Sequence, residues 1–187
     1  VPVYALDKMG KFLESNGPWS QLVSLNNISI QKLKVDQPIS LTPSIQITAF
    51  TVPHRDEFSE TAGFKISTPT KKYLFIPDID KWEKWSVAIE DAVKEADVAL
   101  LDATFYSPSE LPNRPMSEIP HPLVEETMLR FERKPALKEK IYFIHFNHTN
   151  PLLWDTVVRQ SVLTNGFHLA ETGIIFPKFF SPFRLER

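Results

Sequence analysis

Lys72-Tyr73-Leu74-Phe75-Ile76-Pro77-Asp78-Ile79-Asp80-Lys81-Trp82 is the stretch on which the fold turns. Lys72–Ile76 reads as a strand, and Pro77 stops it. Asp78 and Asp80 follow at once. Trp82, Trp85, Ile89, Ala92, Val93 and Ala96 then recur at helical spacing, which predicts a helix over 81–96 with one apolar face. Val98-Ala99-Leu100-Leu101 comes next, a short continuous apolar run of the kind buried on both sheet faces. Strand, helix and strand in this order place carboxylates at the ends of buried strands.

Downstream the pattern repeats. A proline-rich loop runs from Ser107 to Pro120, and Val124, Thr127, Met128 and Phe131 mark another helix. Ile141-Tyr142-Phe143-Ile144 is a further buried strand. Asn150-Pro151 is an N-cap followed by proline at the first helical position. That helix carries Leu153, Val157, Val158 and Val162, and Asn165-Gly166 ends it. Phe167–Ala170 and Gly173–Phe176 read as closing strands.

Upstream, Val1–Ala5 is strand-like. Leu6, Met9, Phe12 and Leu13 make a helix that Gly17-Pro18 stops, and Trp19–Leu25 is a further short helical turn. Ile28–Ile30, Ile45–Phe50 and Gly63–Ile66 alternate as strands do, with Thr68-Pro69-Thr70 as the turn before Lys72. Strands first and β–α steps afterwards predict one layered α/β domain over residues 1–187, with helices packed on sheet faces.

Composition sets bounds. The chain has 187 residues, 42% hydrophobic and 24% charged, which suits one domain with a real core and argues against disorder. Net charge is −2, with no basic stripe, so nothing calls for nucleic acid or an anionic membrane as partner. The longest apolar runs are strand-sized, so no membrane span is expected. There is no cysteine, so disulfides and thiolate ligands are excluded, while cytoplasmic and periplasmic locations both stay open. The 16 prolines against 5 glycines point to a rigid, loop-rich protein. Val1 stands where an open reading frame has Met, so a processed or truncated product is expected.

The chemistry gathers at strand ends. His54 follows Ile45–Val52, Asp78 follows Tyr73–Ile76, Asp102 follows Val98–Leu101, and His145 ends Ile141–Ile144 with His148 three residues on. His121 precedes a helix. Imidazole and carboxylate suit zinc, manganese or iron. Bland roles compete with this. His168 reads as a structural, hydrogen-bonded histidine, and Asp80 as a helix N-cap. Asp102 fits an N-cap or a functional carboxylate equally.

Two stretches bear a family resemblance. Pro77-Asp78-Ile79-Asp80-Lys81-Trp82 and His145-Phe146-Asn147-His148-Thr149-Asn150-Pro151, with Pro53-His54-Arg55-Asp56-Glu57 and Gly63-Phe64, resemble the coenzyme PQQ biosynthesis protein B branch of the metallo-β-lactamase superfamily. The resemblance runs from Val1 to about Phe167. It implies an αββα sandwich with one or two divalent metal ions at a sheet edge, zinc first and manganese or iron as alternatives. It implies His54, Asp78 and His145 or His148 as metal ligands, with Asp78 bridging. It implies Asp102, in Asp102-Ala103-Thr104-Phe105, as the carboxylate that orients a ligand histidine. His121 would be a proton donor or substrate contact.

The family's His-x-His-x-Asp-His loop does not occur in these residues. The chain is therefore expected to be the C-terminal two-thirds of the fold, completed by a missing N-terminal segment or by a second copy. The activity implied is metal-assisted hydrolysis of a small-molecule phosphodiester, ester, lactone or amide. Metal-dependent oxidation of a peptide-derived substrate is the first alternative, and a metal-free binding relative the second.

Overall fold

The computed structural model describes residues 1–112, 115 and 118–176. The quoted stretch sits at the centre of a seven-stranded sheet, in which β6 (Lys72–Ile76) and β7 (Val98–Asp102) pair in parallel. The other strands follow chain order from edge to edge. They are β3 (Pro38–Thr42), β4 (Ile45–Thr51) and β5 (Ala62–Ser67) on one side, β8 (Ile141–Ile144) and β9 (His168–Leu169) on the other. From β3 to β6 the pairing is antiparallel, and from β6 to β9 parallel. The switch follows from the connections. Thr68 closes the β5–β6 hairpin by accepting the amides of Thr70 and Lys71 on its hydroxyl. Parallel neighbours instead need crossovers, which helices supply.

Those helices are α3 (Ile89–Lys94), α4 (Val124–Arg130), α5 (Pro135–Lys138) and α6 (Thr156–Thr164). The row Ile76, Leu101, Phe143, Leu169 is buried beneath them, with Ile89, Val93, Val124 and Val162 as their side of the core. The opposite row, Phe64, Phe75, Leu100, Tyr142 and His168, is only half-buried. Against this second face, at the β3–β5 end, packs a smaller unit. It comprises a parallel pair, β1 (Pro2–Ala5) and β2 (Ser29–Lys32), with α1 (Asp7–Ser15) and α2 (Trp19–Ser24) between them. Leu6 and Leu33 meet Ala49 there. Helices, large sheet and small second sheet are layers of the α/β arrangement expected from the sequence.

The structure differs from the sequence expectations in four places. The helix over 81–96 is broken: a 3-10 turn covers Trp82–Lys84, and Trp85 is extended. Trp82 is buried and donates its indole N–H to Thr127 at 2.9 Å, while Trp85 stacks on Phe50 at 5.6 Å. Two large rings bound to different surfaces override helical spacing. The helix after Asn150 is also split. Asn150 caps a 3-10 turn over Pro151–Leu153, and Asp155 caps α6 anew by accepting the amides of Val157 and Val158. Residues 173–176 form no strand. The edge strand β3 and the single turn α5 have no counterpart in the sequence reading, although Ile39 and Leu41 alternate with polar neighbours in β3. Among the described residues no helix is long and apolar enough to cross a membrane.

Gly63 offers a test of the β4–β5 packing. A Cβ there would lie 2.4 Å from the Phe50 ring, which also stacks on Trp85. Gly63→Ala should therefore cost about 1–3 kcal/mol in thermal denaturation, as overpacking does. Phe50→Leu in the same chain should recover part of that loss.

Candidate metal centre

The loops after β4, β6, β7 and β8 are stitched together by backbone groups. Asp80 N–H donates to the Pro53 carbonyl at 2.7 Å, tying the segment of Asp78 to that of His54. Ile79 N–H donates to Asp102 Oδ2 at 3.1 Å, and Thr104 N–H to Asp102 Oδ1 at 2.8 Å. Ala103 N–H reaches Ile144 O at 2.9 Å, so the β7 and β8 ends run in step.

Five side chains converge on this edge. His54 Nε2 lies 3.3 Å from Asp78 Oδ1, and His121 Nδ1 lies 3.4 Å from the same oxygen. His121 Nδ1 is 2.9 Å from Asp102 Oδ2, and His145 Nδ1 is 3.9 Å from Asp102 Oδ1. The potential ligand atoms form two sets, His54/Asp78/His121 and Asp78/Asp102/His145, each within 4.8 Å and sharing Asp78.

Asp102 is fully buried. Burial pushes its carboxyl up, but His121, His145 and the Thr104 hydroxyl outweigh burial and hold it below the ordinary carboxylate range. An ionised carboxylate only accepts, so His121 must carry its proton on Nδ1 to bond Asp102, leaving the Nε2 lone pair free. Thr104 Oγ1 donates to Asp102 Oδ1 at 2.7 Å, which spends its proton. The 3.0 Å contact between Thr104 Oγ1 and His145 Nδ1 then makes that nitrogen the donor, which in the neutral ring leaves the His145 Nε2 lone pair free. The nearby Asp102 carboxylate raises the His145 imidazole above its usual range, with burial opposing. Carboxylate-backed imidazoles of this kind are how metal-binding histidines are oriented.

His145 also carries a left-handed backbone, φ 63°, a conformation worth about 1–3 kcal/mol of strain in a residue other than glycine. It turns the chain sharply as β8 ends.

Two buried atoms show that these residues fit a cation. Among the described residues, Asp78 Oδ1 and His54 Nδ1 are the buried side-chain polar atoms with no hydrogen-bond partner. Both imidazoles near Asp78 Oδ1 are close enough to attract it, yet neither has hydrogen-bonding geometry. A buried carboxylate oxygen left so is costly, and a divalent ion would satisfy it.

Of the residues singled out in the sequence, His54, Asp78, Asp102, His121 and His145 are brought together. His148 is not. It is exposed, outside both sets, and its Nδ1 lies 3.1 Å from Asn147 Oδ1. Its neighbours Asn147 and Asn150 are tied back to Thr104 O and Ala103 O, while the His148 ring stays on the solvent side of that loop. Asp80 is structural but is not the N-cap expected: Lys81 holds that place before the 3-10 turn, and Asp80 accepts Lys81 N–H and pairs with Lys84 at 2.7 Å. His168 stacks on Tyr142 at 4.5 Å, on the sheet face. Sequence reasoning missed Glu110 as a contributor, and saw Asn150 only as a helix cap. The Asn150 amide also donates to Ala103 O at 2.7 Å, a bond no spacing rule predicts.

Residues 1–146 match the family described as "Beta-lactamase superfamily domain". No match is found among curated proteins. Among solved structures, the chain is similar to zinc-bound PqqB from Methylobacterium extorquens, with TM-score 0.73, 20% identity, and coverage of 92% of this chain and 63% of that one. It is similar to a diphosphatase of the PhnP family at TM-score 0.60 and 21% identity, covering 93% and 56%. It is similar to an isothiocyanate hydrolase from Delia radicum gut bacteria at TM-score 0.59 and 14% identity, covering 96% and 68%. The chain thus spans only 63% and 56% of the first two. At these identities the likeness is one of fold.

Proposed function

The chain belongs to the metallo-β-lactamase superfamily, and from that premise we propose that it forms part of a metal-dependent hydrolase acting on a small-molecule phosphodiester, ester, lactone or amide. The observation that carries this is the partnerless, buried Asp78 Oδ1 between two imidazoles, at the shared corner of both ligand sets. His54, Asp78 and His145 would hold one or two divalent ions, zinc first, and Asp78 belongs to both potential ligand sets. A bound divalent ion supplies a lowered pKa for its water and polarises the substrate oxygen.

This chain's residues do the rest. Asp102 stays ionised and fixes the tautomers of His121 and His145. With its Nδ1–H anchored on that carboxylate, His121 can take up a proton at Nε2 and pass it to a leaving group. The Phe105 ring, edge-on to His121 at 5.7 Å, keeps solvent from one flank of the imidazole.

The test is hydrolysis of aryl phosphodiester, ester and lactone probes by the protein loaded with zinc, manganese or iron. Turnover of one class with zinc or manganese supports the proposal. Oxygen consumption with iron and no hydrolysis favours the oxidative alternative and overturns it. His121→Ala separates the two roles open to His121. Bound metal is expected to stay within about threefold of the parent affinity, while turnover falls by about 10²–10⁴, the usual worth of a general acid. Loss of the metal itself would make His121 a ligand instead.

A further inference from the structure

His145 is the least supported member of the cluster. Its side chain is 48% exposed, so packing does not hold it, and its backbone sits in the left-handed region. Something must hold the segment that follows it. Two side-chain ties join it to the β7 loop. Asn150 is fully buried, and its amide donates to Ala103 O at 2.7 Å and to Thr104 O at 3.3 Å. The second tie runs through Glu110. Its Oε2 accepts Tyr106 N–H at 2.7 Å, and its Oε1 accepts the Thr149 hydroxyl. Thr149 Oγ1 in turn accepts from Asn147 Nδ2 at 2.7 Å. Asn147 N–H closes the loop on Thr104 O at 3.0 Å.

Glu110 thus joins residues 104–106 to residues 147–149, and His145 lies between the two ends. Thr104, the group that receives the His145 Nδ1 proton, belongs to the braced segment. A carboxylate is suited to this place because two donors converge on it, one on each oxygen. We propose that Glu110 is a positioning residue: through Thr149 and Asn147 it holds the His145 loop so that Nδ1 meets Thr104 and Nε2 faces the metal position. This rests on the reading of His145 as a metal ligand, while the brace itself can be tested without metal.

The experiment is zinc titration against a competing chelator, with folding checked by circular dichroism. Glu110→Ala should weaken zinc affinity about tenfold, the scale on which residues supporting a ligand act. Thr149→Val should do the same. Glu110→Gln should return to within about threefold of the parent, because its carbonyl can take the Tyr106 N–H and its amide can donate to Thr149. In the His145→Ala background, Glu110→Ala should cost nothing further, since its effect passes through that imidazole. Equal losses in both backgrounds, or no loss from Glu110→Ala where His145→Ala causes one, would overturn the proposal.

A second measurement uses the metal-free protein. Nitrogen-resolved NMR should show His145 as the Nδ1–H tautomer in the parent and in Glu110→Gln, and as a mixture in Glu110→Ala. An unchanged tautomer in Glu110→Ala sinks the brace. If His145→Ala leaves zinc affinity untouched, the reading of the metal centre fails, and the tautomer signal still decides the role of Glu110.

Discussion

Asp78→Ala abolishes metal binding, with affinity falling by more than about 100-fold, beyond the loss typical of residues that merely support a ligand. Asp78 is the member common to both potential ligand sets, so no arrangement of the remaining side chains replaces it. The stability effect should have two signs. Without metal, Asp78 Oδ1 is a buried acceptor with no hydrogen bond, and removing it relieves a desolvated group. The metal-free variant should therefore melt no lower than the parent. With metal at about 100 times Kd, the parent should gain about 2.7 kcal/mol by mass action, and the variant nothing. Calorimetry with and without zinc checks both halves. A variant that keeps stoichiometric zinc, or that is much less stable without it, refutes the place given to Asp78.

Asp102→Ala should act in the opposite way, as a loss of fold before any loss of metal. Its two oxygens accept from Ile79 N–H, Thr104 N–H, the Thr104 hydroxyl and His121 Nδ1. Truncation strands these donors in a fully buried position, at a cost of about 3–5 kcal/mol. For a chain of this size that lowers the melting temperature by roughly 6–20 °C. The pH dependence has a definite sign. The folded-state pKa of Asp102 lies below its unfolded value, so its contribution is fully present above the ordinary carboxylate range. It is lost as pH falls through the folded value. Parent and Asp102→Ala stability curves, measured without metal, should converge below about pH 4. Curves that stay parallel well below that pH would show that the carboxylate is not held ionised.

Much of this site could be read in advance because strand-end positions are set by local pattern. A run such as Val98–Leu101 ends where its apolar residues end, and the next polar side chain, Asp102, must emerge at the sheet edge. The same logic placed His54, Asp78 and His145. His148 eluded it, being only three residues from His145 and of the same chemistry. What separates the two is tertiary: Thr104, from the loop after β7, meets the His145 Nδ1 and accepts the Asn147 N–H, while among the described residues His148 has no such partner across the sheet. The helix over 81–96 failed for a related reason. The periodicity was real, but Trp82 and Trp85 serve Thr127 and Phe50, partners distant in the chain.

The sequence by itself determined most of the order of strands and helices, apart from β3, α5 and the broken helices, and it determined the family. All of these rest on apolar periodicity and short stretches, which depend on neighbours along the chain. Only the tertiary structure decided which imidazoles share Asp78, which tautomers Asp102 and Thr104 impose, and that Glu110 and Asn150 lash two loops together. Those depend on hydrogen bonds between residues up to 47 positions apart, whose directions no local pattern carries.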